Sequence, residues 1–183
     1  MKKPKLLVIG YARHGKDSVC EIIARRFGLS FMSSSMFCAE AIIFPWLQNR
    51  YADMALFETP DVPFYETVEQ AFEDRGNHRA LWFKLIQDYN SLDKTNLGRA
   101  ILAKHDIYCG IRSHEEFTAV MAAGLADHVL WVSRSGKPIE DPSSCTVGPW
   151  LTTHKIYNNG SLADLEDVVV QKCINDFKME AIS

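Results

Sequence analysis

The stretch KLLVIGYARHGKDSVCEIIARRFG (5 to 28) constrains the fold more than any other part of this chain. KLLVIG (5 to 10) is a continuous apolar run ending in glycine, the pattern of a strand buried on both faces. Residues 16 to 27, KDSVCEIIARRF, place Val19, Ile22, Ile23 and Phe27 at helical spacing, so a helix follows directly, and Gly28 stops it. A buried strand, a glycine loop and an amphipathic helix in that order imply a parallel sheet with helices packed on it.

The alternation continues. LSFMSS (29 to 34) reads as a second strand, after which Ser35 caps a helix running through AEAIIF to Pro45. Residues 46 to 65, with Pro60 and Pro63, read as an irregular excursion. VEQAFEDRGNHRALWFKLIQDYN is helical in pattern with a break allowed at Gly76, and 94 to 103 is a further short helix. DIYCGI (106 to 111) is a third strand, 114 to 124 a helix ending at Gly124, and HVLWVS (128 to 133) a fourth strand. HKIYNN is the fifth, and SLADLEDVVVQKCINDF closes the chain as a helix with Ser161 as N-cap and Leu162, Leu165, Val169 and Ile174 inward. The expected class is α/β, a three-layer sandwich of a five-stranded parallel sheet with helices on both faces.

Composition removes several alternatives. At 183 residues the chain is long enough for one core and short for two, so 1–183 reads as a single domain. Net charge of -3 gives no general reason to bind nucleic acid or anionic membranes, although a local basic groove is compatible with it. The five cysteines (Cys20, Cys38, Cys109, Cys145, Cys173) contain no CxxC pair and read as reduced thiols. No apolar run reaches the roughly 18 residues of a membrane span. The first strand begins within five residues, which leaves no room for a signal peptide. A reducing cytoplasm is the expected location.

Gly10, four residues, then Gly15 and Lys16 give the spacing of a phosphate-cradling P-loop. Its glycines let backbone N–H groups curl round phosphates, and the helix N-terminus adds positive potential. The expected nucleotide contacts are Gly10, Ala12, Arg13, His14, Gly15, Lys16, Asp17 and Ser18, with Arg134 and Asn159 from later loops. Lys16 supplies a charge to the β- and γ-phosphates, Arg13 leans over the transferring group, and the His14 side chain points outward. The position after Lys16 normally carries a hydroxyl that coordinates magnesium; here it is Asp17. A carboxylate beside phosphates is repelled unless a hard cation sits between them. DIYCGI ends without the acidic residue that such sheets usually place there, so Asp17 reads as the missing magnesium carboxylate. Two other roles stand beside it: general base for a hydroxyl acceptor, and N-cap or first-turn acid of the helix.

Ligands of parallel sheets bind beyond the carboxyl ends of the strands. Ser33, Ser35, Arg112 and the loop opening at Arg134 and Lys137 all lie there. Arg112 can bridge acceptor and γ-phosphate in bidentate fashion, or pair with Glu115 or Glu116. On one helix Arg75 and Arg79 share a face, as do His78 and Trp82, a grouping that suits a nucleotide phosphate and base, or merely a solvated surface. Residues at about 36–104 form the expected acceptor-binding insertion, and those at about 134–153 a lid-like loop, extended because of Pro138, Pro142 and Pro149.

GYARHGKDSV resembles the GxxRxGKD(S/T) loop of bacteriophage deoxynucleoside monophosphate kinases, and a related loop occurs in phosphomevalonate kinases. IRSHEEFTAVMAAGLADHVLWVSR and YNNGSLADL are similar to later segments of the same phage group. The resemblance covers about half of the chain, at its two ends. It implies ATP- and magnesium-dependent transfer to the phosphate of a deoxynucleotide, with Lys16, Arg13, Asp17 and Arg112 handling phosphate and metal. Because that family keeps the loop Asp while phosphorylating a phosphate, the resemblance weighs against the general-base role. The chain departs from the family in having CGIR where an Asp tends to precede the Arg, and in most of 36 to 100. Those departures keep a second acceptor class open, that of related phage kinases that phosphorylate 5-hydroxymethyluracil within DNA. A reading of a different class is a regulator that holds ATP without transferring phosphate. The base of the acceptor and the oligomeric state are not fixed by sequence.

Overall fold

The computed structural model describes residues 3–54, 64–141 and 144–182, with 52–54 in backbone only. Pro60, Pro63 and Pro142 lie outside the described residues. Five strands, β1 (Leu6–Ile9), β2 (Phe31–Ser33), β3 (Ile107–Cys109), β4 (His128–Ser133) and β5 (Lys155–Tyr157), form one sheet in the order β2-β3-β1-β4-β5. Every pair is parallel. The α/β class and the five-stranded parallel sheet are as expected from sequence.

Strand periodicity divides the core in two. Leu7, Ile9, Tyr108, Val129 and Trp131 face one side. Leu6, Val8, Ile107, Cys109, Leu130, Val132 and Ile156 face the other. All four β1 side chains are fully buried, each worth about 2 kcal/mol against exposure, which fixes β1 at the centre of the sheet. Helices α1 (Lys16–Phe27) and α8 (Leu162–Phe177) cover the second side through Val19, Ile22, Ile23, Leu165, Val169 and Cys173. The first side is covered by α2 (Ser34–Cys38), α3 (Phe44–Met54), α4 (Val68–Glu73), α5 (Arg79–Tyr89), α6 (Asn96–Lys104) and α7 (His114–Ala122).

Four local expectations are corrected. Ser33, not Ser35, caps the helix after β2, its hydroxyl accepting from the Met36 N–H at 3.1 Å. Pro45 does not end that helix. A π-turn over Ala39–Ile43 widens the backbone, with the Phe44 N–H reaching back to Ala39, and the chain continues as α3 to Met54. A wide turn admits proline because its missing N–H and its ring no longer disrupt a tight i to i−4 ladder. Residues 46 to 54 of the expected excursion are therefore helical. At the C-terminal helix the inward row is Leu165, Val169, Cys173 and Phe177, four apart. Leu162 and Ile174 are exposed, because they fall about 100° off that row or before its first full turn.

Candidate active site

The glycine loop runs from the end of β1 into α1, and two of its glycines are required by close approach. A Cβ at Gly10 would sit 2.2 Å from the Val132 carbonyl oxygen, where β1 and β4 separate. At Gly15, with φ of 94°, it would sit 2.2 Å from Nδ2 of Asn158. That amide donates to the His14 carbonyl at 3.1 Å, tying the loop to the end of β5. Arg13 holds φ of 64° without being glycine, a conformation costing roughly 1–2 kcal/mol. Strain retained in a loop of this kind points to function. The Arg13 side chain is exposed.

Lys16 turns back over the loop and donates from Nζ to the Tyr11 carbonyl at 2.8 Å. Asp17 lies in the first turn of α1, whose N-cap is Gly15, so Asp17 is not the cap. Its Oδ1 is 3.7 Å from the Cys109 thiol, the last residue of β3. The first turn of α1 thus places a carboxylate at the end of β3. Asp17 is exposed and its carboxylate is a hard oxygen donor, and magnesium at nucleotide sites is held by one or two carboxylates together with phosphate oxygens and water, so this residue fits the ion. Ser18 is half-buried in the same turn. The Ser34 hydroxyl donates to the Gly110 carbonyl at 3.0 Å and fastens the start of α2 to the β3 end.

Arg112 is paired with neither Glu115 nor Glu116. Its Nη1 meets Oε1 of Glu140, a residue of the segment after β4. Glu115 instead pairs with Lys94 at 3.4 Å. Glu116 turns inward from the first turn of α7 and accepts from the Tyr108 hydroxyl at 2.6 Å. Burial pushes the Glu116 carboxyl up to about 7, the Tyr108 bond opposing part of that rise. The other Glu140 oxygen accepts from the Ala12 N–H at 2.7 Å.

His14 reverses its expected orientation. The side chain is buried, Nδ1 accepting from the Arg134 N–H at 3.0 Å and Nε2 lying 3.3 Å from the Pro138 carbonyl. An Nδ1 that accepts leaves Nε2 as the donor, so one neutral tautomer satisfies both contacts. The ring also meets Tyr11 edge-on. The segment after β4 is thereby laid across the glycine loop. Arg134 contributes its backbone and has an exposed side chain, while Asn159 accepts from the Ser135 N–H at 2.7 Å.

The residues from the helical region are placed differently. The pattern over 68 to 90 breaks into α4, a 3-10 turn at Asp74–Gly76 and α5, so Arg75 and Arg79 do not lie on one continuous helix. Arg75 stacks over Phe72, 3.8 Å from the ring centroid. His78 pairs with Asp74 at 3.1 Å. Arg79 is exposed at the start of α5. Trp82 is only 8% exposed and belongs to the core beneath the sheet. Ser33 is occupied as a cap, with the Ser35 hydroxyl 3.5 Å away. Contacts tie Lys16, Asp17, Arg112 and Ala12 into one end of the sheet; the contacts of Arg75 and His78 are local. Sequence reading missed Glu140, Tyr11, Cys109 and the bridging role of Asn158. Only Glu140 left a signal, as a carboxylate in a loop otherwise opened by Arg134 and Lys137.

Among the described residues no helix is long and apolar enough to cross a membrane. No protein family and no curated protein matches the chain. Similar solved structures include a sugar kinase from Janibacter sp. HTCC2649, 13% identical with a TM-score of 0.43, covering 97% of this chain and 96% of that one. Shikimate kinase from Aquifex aeolicus vf5 is 11% identical with a TM-score of 0.42, covering 95% and 98%. A gluconokinase from Sinorhizobium meliloti 1021 is 13% identical with a TM-score of 0.43, covering 96% and 97%. Likenesses this distant decide neither activity nor acceptor, which rest on the residues of this chain.

Proposed function

We propose that the chain is a P-loop phosphotransferase that moves the γ-phosphoryl group of magnesium-bound ATP onto a small acceptor, a deoxynucleoside monophosphate. The observation that carries this reading is the convergence, at the carboxyl end of one parallel sheet, of the glycine loop, Asp17 against Cys109, and Arg112. In such a transfer the Pγ–O bond of ATP breaks and a new bond forms to an acceptor phosphate oxygen, leaving ADP and a nucleoside diphosphate. Charge spreads over the three γ-oxygens, so positioning and electrostatic stabilisation supply most of the acceleration. Lys16 swings from the Tyr11 carbonyl to the phosphates, Arg13 covers the loop, and Arg112 bridges donor and acceptor. Magnesium, when bound, neutralises part of the phosphate charge, and Asp17 is the residue that would hold it. A phosphate acceptor is already ionised and needs no general base, so Asp17 is free for that role.

The acceptor class follows from the resemblance of the loop and tail to phage nucleotide kinases, and 36–104 is proposed to receive it. The test is γ-labelled ATP incubated with each deoxynucleoside monophosphate and, separately, with DNA containing 5-hydroxymethyluracil. Label in a nucleoside diphosphate is the expected result. Label in DNA alone would replace the free nucleotide with a base hydroxyl, and ATP binding with label in neither would make the chain a nucleotide-responsive regulator.

A further inference from the structure

The loop after β4 brings an anion to the donors that the proposed chemistry needs. Glu140 accepts from the Ala12 N–H through Oε2 and pairs with Arg112 through Oε1. The peptide between Tyr11 and Ala12 is held at both ends, its carbonyl by the Lys16 ammonium and its N–H by Glu140. The carboxylate is well covered, at 17% exposure, whereas the Arg112 side chain is half exposed. The backbone that delivers it is pinned ahead of Glu140 by the His14 contacts to Arg134 and Pro138 and by the Ser135–Asn159 bond. Beyond Glu140 it is pinned by the Thr146 N–H, which donates to the Arg112 carbonyl at 2.9 Å. A carboxylate bridging a loop N–H and a guanidinium presents the same chemistry as a phosphate oxygen pair. Two anions cannot share those donors without strong repulsion.

We infer that Glu140 is an internal competitor for the phosphate site, holding Arg112 and the Ala12 N–H until a phosphorylated ligand displaces it. The inference rests on reading the glycine loop as a phosphate site, and it adds regulation to that site. Glu140 thereby sets a threshold: ligands with enough phosphate charge to displace it gain Arg112, and weaker anions do not. Its competitors are a positioning role, in which Glu140 holds Arg112 for catalysis, and a metal-binding role.

Titration calorimetry of the full chain with magnesium-ATP, and with inorganic tripolyphosphate, separates them. Glu140→Gln is expected to bind both probes roughly threefold to tenfold tighter than the unaltered chain, the range for releasing one partly exposed charge pair. Glu140→Asp, whose carboxylate falls one methylene short of its partners, should tighten both probes in the same direction and covers the case in which the first variant does not fold. Unchanged or weaker affinity in the folded variants overturns the competitor role. Lys16→Ala provides the separate control. If it weakens both probes while the Glu140 variants change nothing, the competitor fails and the phosphate site stands. If the unaltered chain and the Glu140 variants bind neither probe, or Lys16→Ala binds as well as they do, both readings fall.

Discussion

The loop end of the sheet and the helical region from Ser34 to Lys104 are held together by different rules. At the loop end, contacts join residues far apart in sequence: Asn158 to His14, Asp17 to Cys109, Glu140 to Ala12 and Arg112. Among the described residues of the helical region the polar contacts are mostly local. Asp74 serves Asn77 and His78 within one turn and Tyr65 nine residues back, and Asp93 serves Thr95 and Arg99. What fixes that region to the sheet is apolar packing, with Trp82, Leu97 and Ile101 buried against the face that carries Tyr108. The proposed phosphate side is thus built from a polar lattice, and the proposed acceptor side from packed helices whose interruptions set their directions. Polar lattices fail when one partner is removed, packed helices when volume is removed.

The largest expected effect tests the packed side. Trp82→Ala should cost about 4 kcal/mol of stability, because the indole is buried in the core. Urea unfolding reads it; unchanged stability with a raised KM for the acceptor would move Trp82 from the core into the acceptor site and dissolve the contrast. On the polar side, Asp17→Asn should lower kcat/KM about a hundredfold, ~3 kcal/mol, and raise the magnesium concentration needed for half-maximal activity. Turnover and magnesium dependence both unaltered would leave Asp17 as a first-turn acid only.

Glu116 sits between the two regions, on α7 yet bonded to Tyr108 of β3, and it tests whether a buried polar group here behaves like the lattice. Its folded carboxyl, near 7, lies above its ordinary value of 4.5, so the folded state retains a proton that the unfolded state releases. Stability from this group is complete below about 4.5 and is lost as pH rises through about 7. Glu116→Gln keeps the shape without the charge. Relative to the unaltered chain it should be favoured at pH 8 over pH 4.5 by roughly 2 to 3 kcal/mol, read as the change in unfolding free energy between the two. A difference that does not depend on pH would place the titration elsewhere.

Much of the loop end was legible because its signals are local. Gly10, Gly15 and Lys16 announce a backbone path through their spacing, and the continuous apolar run KLLVIG announces a strand buried on both faces, as Leu7 and Leu6 are in the two halves of the core. His14 was misread because nothing in its neighbours reveals that Arg134 and Pro138 will lie over it. The helical region was less legible for a related reason. A proline usually stops a helix, and only the π-turn at Ala39–Ile43 lets this one continue. Likewise 68 to 90 reads as helical with a break allowed at Gly76, and it does not reveal that Asp74 draws Tyr65 and Asn77 to itself where the chain turns.

By itself the sequence determined the parallel sheet, the placement of a glycine loop with P-loop spacing between β1 and α1, and the presence of a carboxylate where a hydroxyl is usual. Those follow from hydrophobic period and glycine spacing, which act over a few residues. Only the tertiary structure decided that Asp17 meets the end of β3 and that Arg112 is held by Glu140 rather than by its helical neighbours. The pairing partners are 92 and 28 residues apart, and which charge reaches which depends on how the strands and loops are laid side by side. That is a matter of packing, and no local pattern encodes it.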